Sequence, residues 1–483
     1  MDHAAASSLA PLLAVTLLVY LVAVFWLSFA VRGRVQDNED FLVAGRRLPL
    51  SLAWATLLAT WFGAGTVLTA ADEVREGGVQ RAALDPFGAG LCLLIAGLLF
   101  AGPLWRMGLL TVSDFFRRRF GPRAELLSAL VLVPSYFGWI AAQLVALAGL
   151  LELIFGLDPA AGILISAGVA MGYTLLGGMW SVTLTDAIQI VLVLGGLAVL
   201  AVLVFAELGG GSDPAAGLAR LAADTPREFL LPVPVGSAAE IVGWLGILAV
   251  GALGNLPGQD LLQRVFASRS AAVARGACLV AGGLYLSFGL LPVLMGLSAR
   301  LLVPDGVEQS ILPALAGMFL APVPAVIFVL ALVSAVLSTL DSAILSPSGV
   351  LAQNVLPRWS RMPPLALNRW SVVGVTAASV AMAFAGEDAY SLLEDAYELP
   401  LVGLFVPLAL GLYRPPGREA PALAAMGTGA GLWVLHYALG WESFFAPWIP
   451  WPVPGSLAIT ACSLAAYLGA GGWRRGDGGL VAG

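Results

Sequence analysis

The chain has 483 residues, of which 59% are hydrophobic and 11% charged, with a net charge of −6 and a mean hydropathy of +0.91. Soluble domains carry about 25% charged residues, so this chain lacks the polar surface to meet water on every side. A nucleic-acid binder finds no support either, because no basic block with interleaved aromatics occurs.

Runs of about 20 apolar residues, the length a helix needs to cross a bilayer, recur throughout. They predict an all-α membrane protein with thirteen spans, near 11–31, 49–71, 84–104, 125–155, 159–178, 183–206, 239–257, 272–301, 323–351, 366–385, 389–412, 420–440 and 454–471. The first run is too long for a secretory signal and follows Met1-Asp2-His3 rather than a basic leader. The segment between the sixth and seventh spans, rich in Gly, Pro and small residues, reads as a loop with a short helix. A short tail with no appended signalling domain is expected after the last span.

Arginine placement tests this topology, since cytoplasmic segments carry the excess of positive charge. With the N-terminus outside, the inside segments hold 19 arginines and the outside segments 5, and the chain has no lysine. Losing or gaining one span would scramble that alternation. The expected location is a bacterial-type inner membrane, multi-pass, with the C-terminus cytoplasmic.

Two spans are interrupted. The second carries Ala59-Thr60-Trp61-Phe62-Gly63-Ala64-Gly65-Thr66, and the seventh runs into Gly251-Ala252-Leu253-Gly254-Asn255-Leu256-Pro257-Gly258-Gln259-Asp260. Glycine-rich patches also permit close helix packing. These two, however, occupy matching places if spans 2–6 and 7–11 are two five-helix halves, and paired broken helices in matching halves point to a transporter binding site.

The ninth span places Ala335, Ser338, Asp341 and Ser342 along one helical stripe, with Thr339 one step around it. Hydroxyls and a carboxylate are costly in lipid, so the stripe faces protein or a watery cavity. Oxygen ligands of this kind suit a hard alkali cation. Asp186 is a second intramembrane carboxylate, near the start of the sixth span, where it reads either as a cation ligand or gate or as an interfacial cap. Three scattered cysteines (Cys92, Cys278, Cys462) and two isolated histidines (His3, His436) offer neither a metal cluster nor a nucleophile–base pair, so no enzyme is expected.

At these segments the chain resembles the sodium:solute symporter family. The resemblance runs from Asp40-Phe41-Leu42-Val43-Ala44-Gly45-Arg46-Arg47 to about Tyr413. Its distinctive motifs are Gly-Gly-x-x-x-Val-x-x-Thr-Asp-x-x-Gln at Gly177 to Gln189 and Ser-Thr-x-Asp-Ser at Ser338 to Ser342. It implies a LeuT-type 5+5 inverted repeat with one extra helix before and two after. Residues 1–48 would form the N-terminal helix and a cytoplasmic loop, and 49–413 the transport core, in repeats 49–206 and 239–413. Residues 414–483 would form two C-terminal helices and the tail. The family's sodium site would fall on the carbonyls of Ala59, Phe62 and Ala335 and the hydroxyls of Ser338 and Thr339. A second sodium site, which some members have, would use Asp186, Ser338, Asp341 and Ser342.

Ala59-Thr60-Trp61, Gln263-Arg264-Val265 and the Ser338–Ser348 run are most similar to the choline-transporter-like branch. An aromatic cage recognises quaternary ammonium. Here Trp61 keeps one wall, while Ala89, Ala142 and Gly258 stand where that branch has aromatic residues, so choline is not expected. Trp61, Phe87, Tyr136 and Trp139 are the expected packing surfaces for a solute; Gln143, Asn255 and Gln259 would orient it, with Asp85 nearby. The expected partners are sodium ions, a small polar organic solute (amino acid, amine or betaine, or monocarboxylate-like) and the lipid bilayer. Proton coupling through Asp186 and Asp341, or a solute sensor without transport, are the alternatives.

Overall fold

Hydrocarbon offers backbone groups no hydrogen-bond partner, so a chain this apolar satisfies them within helices. The computed structural model describes residues 3–304, 310–385, 396–414, 417–441, 443–445, 448 and 452–472. In chain order its main helices are α1 (Pro11–Arg34), α2 (Leu50–Trp61), α3 (Gly65–Gly77), α4 (Val79–Arg106), α5 (Val112–Arg119), α6 (Pro122–Phe155), α7 (Pro159–Leu208) and α8 (Ala238–Leu253). They continue with α9 (Gln259–Ala267), α10 (Ala271–Leu302), α11 (Ile311–Phe319), α12 (Pro322–Arg358), α13 (Pro364–Ala383), α14 (Ala396–Tyr413), α15 (Ala420–Leu439) and α16 (Gly455–Gly472). No strand occurs among the described residues. One isolated bridge joins Leu48 to Ser268: Leu48 N–H donates to Ala267 O and Arg269 N–H to Leu48 O, each at 3.0 Å.

The helix ends follow local chemistry. Proline opens α6, α7, α12 and α13, where its missing N–H costs nothing. Thr111 and Asp114 form a reciprocal capping box on α5, and Ser237 and Ser270 cap α8 and α10. The long segment between α7 and α8 carries a short helix, Pro214–Asp224.

Among the described residues ten helices are long and apolar enough to cross a membrane, and the bent pair α2–α3 makes eleven. That count does not reach the expected thirteen, for two reasons. Runs 159–178 and 183–206 are joined in the 50-residue α7, and α8 spans only 16 residues before the chain breaks at Gly254 to Gly258. At about 1.5 Å per residue α7 is about 75 Å of helix, over twice the hydrocarbon thickness. It is interrupted at Gly178, whose φ of 50° and ψ of −140° are not helical. A Cβ there would also lie 2.6 Å from Phe41 O.

Burial sorts the helices into layers. Of the apolar window of α12, 78% is buried, against 17% for α1. α12 is therefore the central post, and every residue from Ala331 to Val350 is buried. It packs on α7, α6 and α2, while α10 covers α2, α3 and α4. α1 lies against α7 and turns Val15, Leu18, Val19, Val22, Trp26 and Phe29 outward, as a lipid-facing helix does.

Candidate functional site

The α2–α3 pair bends by 60° across Phe62 to Ala64. Phe62 leaves the helix at φ −81°, ψ 58°, and Gly63 meets α12 so closely that a Cβ would lie 2.5 Å from Thr339 Oγ1 and 2.9 Å from Gln143 Oε1. Only glycine fits. Gln143 spans the break by accepting from Ala64 N–H at 3.0 Å. On the other side the Thr339 hydroxyl lies 3.2 Å from Ala335 O and 3.5 Å from Ala59 O. Ala59, Phe62, Ala335, Ser338 and Thr339 are all at most 3% exposed. A hydroxyl and carbonyls from α2 and α12 thus converge where the helix is broken.

One turn along α12 lies a charged network. Asp186 is fully buried within α7, and its two oxygens accept from the hydroxyls of Ser338 and Thr56, each at 2.5 Å. It caps no helix end, so the interfacial-cap alternative falls away. Arg264, at 0% exposure, donates to Ser342 Oγ at 2.5 Å and places Nη2 4.0 Å from Asp186. Ser342 donates to Asp341 Oδ1 at 3.1 Å, and Thr60 Oγ1 lies 3.1 Å from Ser342 Oγ. Asp341 Oδ2 and Arg264 Nε are buried without a hydrogen-bond partner among the described residues. Asp186, Ser338, Asp341 and Ser342 therefore form one network with Arg264, one of the 19 arginines expected in the inside segments. Moving Arg264 inward leaves the arginine asymmetry intact.

Beyond the break, Trp61 Nε1–H donates to Asp260 Oδ2 at 2.7 Å, and the Tyr136 hydroxyl donates to Asp260 Oδ1 at 2.6 Å. A cavity of about 10 Å³ is lined by Tyr136, Trp139, Asn255, Asp260 and Tyr397, with Ser135 and Pro400. That volume holds about one water molecule, so α6, the α8–α9 break and α14 leave little room between them. The rings of Tyr136 and Trp139 lie 5.7 Å apart, and those of Trp139 and Tyr397 6.3 Å apart. Aromatic walls are therefore present, from positions outside the cage matched by sequence.

The other expected solute residues lie elsewhere. Phe87 packs in a separate cluster with Val74, Leu208 and Val293. Gln259 turns to the loop before α5, accepting from Val112 N–H at 2.8 Å and donating to Leu110 O at 3.2 Å. Gln143 is spent on the break. Asp85, in an extended step of α4 (φ −143°, ψ 126°), meets the hydroxyls of Thr66 and Tyr285, each at 2.9 Å. The Tyr285 hydroxyl also lies 2.9 Å from Trp61 O. Asp260, Arg264, Tyr285 and Tyr397 are the residues sequence reasoning missed; buried charge near a Pro-Gly break was the one signal for the first two.

A helix broken in mid-bundle against a helix of hydroxyls and carboxylates is the arrangement on which secondary transporters build their binding sites. The chain belongs to the sodium:solute symporter family, whose sequence pattern matches residues 41–388. It is 28% identical over 419 residues to a high-affinity choline transporter of Caenorhabditis elegans, covering 81% of this chain and 70% of that one. It is 31% identical over 361 residues to the human high affinity choline transporter, with 70% and 60% covered, and 27% identical over 290 residues to a sodium/glucose cotransporter of Vibrio parahaemolyticus, with 58% and 53% covered. The chain thus spans only part of the length of the curated relatives it matches. Among solved structures it resembles a substrate-bound, outward-open Na+-coupled sialic acid symporter, with TM-score 0.74, 18% identity, and 94% and 97% of the two chains covered. MhsT in complex with L-phenylalanine matches at TM-score 0.55 and 15% identity, over 88% and 98%. At those identities the likeness is one of fold, the LeuT type.

Proposed function

We propose that this chain is a sodium-coupled symporter that carries a small polar organic solute into the cytoplasm by alternating access. The observation that carries the reading is the meeting of Thr339, Ala335 and Ala59 at the α2–α3 break, an oxygen cluster with the ligand chemistry of a hard cation. Sodium held by the carbonyls of Ala59, Phe62 and Ala335 and the hydroxyls of Ser338 and Thr339 would order the break and so fix Trp61 beside the solute. A second sodium would sit with Asp186, Ser338, Asp341 and Ser342, where the open Asp341 oxygen supports it. The same open oxygen favours, as a second reading, a proton carried by Asp341 and Asp186. Solute would enter the cavity beside Tyr136 and Trp139 once α14 withdraws from α6. In this reading α7 crosses twice around Gly178 and α8 with the following break crosses once, which gives thirteen spans with the N-terminus outside, a 5+5 core over 49–413 and an inner-membrane location.

Radiolabelled sodium binding to the purified protein tests the ion site. Wild type should bind saturably, and Ser338→Ala/Thr339→Ala should lose at least one sodium per chain. Undiminished binding by the double variant would sink the assignment.

A further inference from the structure

We infer that the transported solute is an organic cation whose charged nitrogen carries N–H groups, with Asp260 as its specificity-determining partner. The inference rests on the symporter reading and narrows its solute class. Asp260 is 2% exposed and lines the closed cavity. Each of its carboxylate oxygens accepts one bond, from Trp61 or Tyr136, which leaves each an open lone pair.

No ion pair to its carboxylate occurs among the described residues. Arg264, one turn further along α9, donates only to the Asp260 backbone carbonyl, at 3.1 Å, and directs its guanidinium to Ser342 and Asp186. Among the described residues no arginine or histidine nitrogen lies within 4.0 Å of the Asp260 or Asp85 carboxylate. Asp85, Asp186, Asp260, Asp341 and Arg264 are all buried, and the guanidinium is turned to Asp186. A buried carboxylate without an ion-pair partner is strongly unfavourable, so Asp260 favours a cationic partner in the cavity.

The cavity selects in the same direction. Among the described residues no basic side chain lines it, so a solute carboxylate would meet the Asp260 carboxylate without a cation beside it. The ring faces of Tyr136, Trp139 and Tyr397 attract a cation. Rings alone would serve a quaternary ammonium equally well. A carboxylate with open lone pairs adds charge-assisted bonds only to a nitrogen that bears hydrogen, and Asn255, on the same wall, offers an amide to a neighbouring hydroxyl or amine.

The test is a melting-temperature titration of the purified full-length protein in sodium buffer. The probes are ethanolamine, N-methylethanolamine, N,N-dimethylethanolamine, choline, glycolate and glycine betaine. The three N–H amines should stabilise with half-saturation at least about tenfold lower than choline, and glycolate and betaine should give no shift. In Asp260→Asn the amines should weaken by about thirtyfold or more, while the stabilisation by sodium alone persists. The amine series is read on unmodified protein, so it stands whether or not the variant folds. Choline matching the N–H amines, a response to glycolate or betaine, an unaltered amine response in Asp260→Asn, or no amine response at all would overturn the inference. Failure of the symporter reading is separate: sodium alone would then fail to stabilise wild type.

Discussion

Removing the Arg264 side chain would leave Asp186 and Asp341 buried without the guanidinium that lies 4.0 Å from Asp186 and donates to Ser342, itself bonded to Asp341. Breaking one side of such a network costs about 3–5 kcal/mol, so Arg264→Ala should unfold at markedly lower SDS fraction than wild type. Adding Asp186→Asn removes one surplus carboxylate and should restore part of the loss, a coupling of about 0.5–3 kcal/mol. Additive effects of the two substitutions would show that the residues do not act together. Single residues were legible in proportion to how strange their surroundings made them. Ser338, Thr339 and Asp341 stand out because hydroxyls and a carboxylate interrupt an apolar helix. Arg264 does not, because an arginine a few residues from a loop looks like a cytoplasmic anchor until the fold turns α9 inward. Phe87 and Tyr397 show the converse limit: an aromatic side chain in an apolar run carries no mark of which face it occupies.

Among the elements, α7 decides the topology. If it crosses once, its two ends lie on opposite sides of the membrane; if it turns at Gly178 and crosses twice, they share one side. Ala160 and Ser212 are both exposed and flank its ends. Single cysteines placed at Ala160 and at Ser212, in a background with Cys92, Cys278 and Cys462 replaced, should both react from outside with a membrane-impermeant maleimide. Labelling of one and protection of the other in sealed, right-side-out vesicles would remove the double crossing, and with it the thirteen-span count. The broken α2–α3 pair was readable because Gly63, Ala64 and Gly65 sit inside an apolar run. The Gly178 turn was readable only as a gap between two hydrophobic stretches, since hydropathy reports length in the membrane and not continuity of the helix.

For the whole molecule, the transport reading requires that sodium and solute bind better together than apart. Thermodynamic linkage makes the effect reciprocal, with a typical factor of roughly 5 to 150. Equilibrium binding of sodium with and without the tightest amine, and of that amine with and without sodium, should give the same factor. A factor of one in both directions would leave the protein as two independent sites and not a coupled carrier. Ser338→Ala/Thr339→Ala should bring the factor towards one, because the ion then no longer orders the break that carries Trp61. The family and its fold were visible in a few motifs because those motifs hold the buried hydroxyls and carboxylates of α7 and α12. The cavity was not, because it is assembled from α6, the α8–α9 break and α14, whose side chains meet only in space.

The Leu48–Ser268 bridge gives the two broken segments a common mechanical anchor. It fastens the chain entering α2 to the chain leaving α9, while at their far ends Trp61 holds Asp260. The two helices are thus tied at both ends, by backbone hydrogen bonds at Leu48 and by a side-chain bond between Trp61 and Asp260. In the proposed reading, a solute that engages Asp260 pulls on Trp61, the last residue of α2, and so reaches Phe62 and Gly63 at once, while the Leu48–Ser268 end of the two helices stays tied.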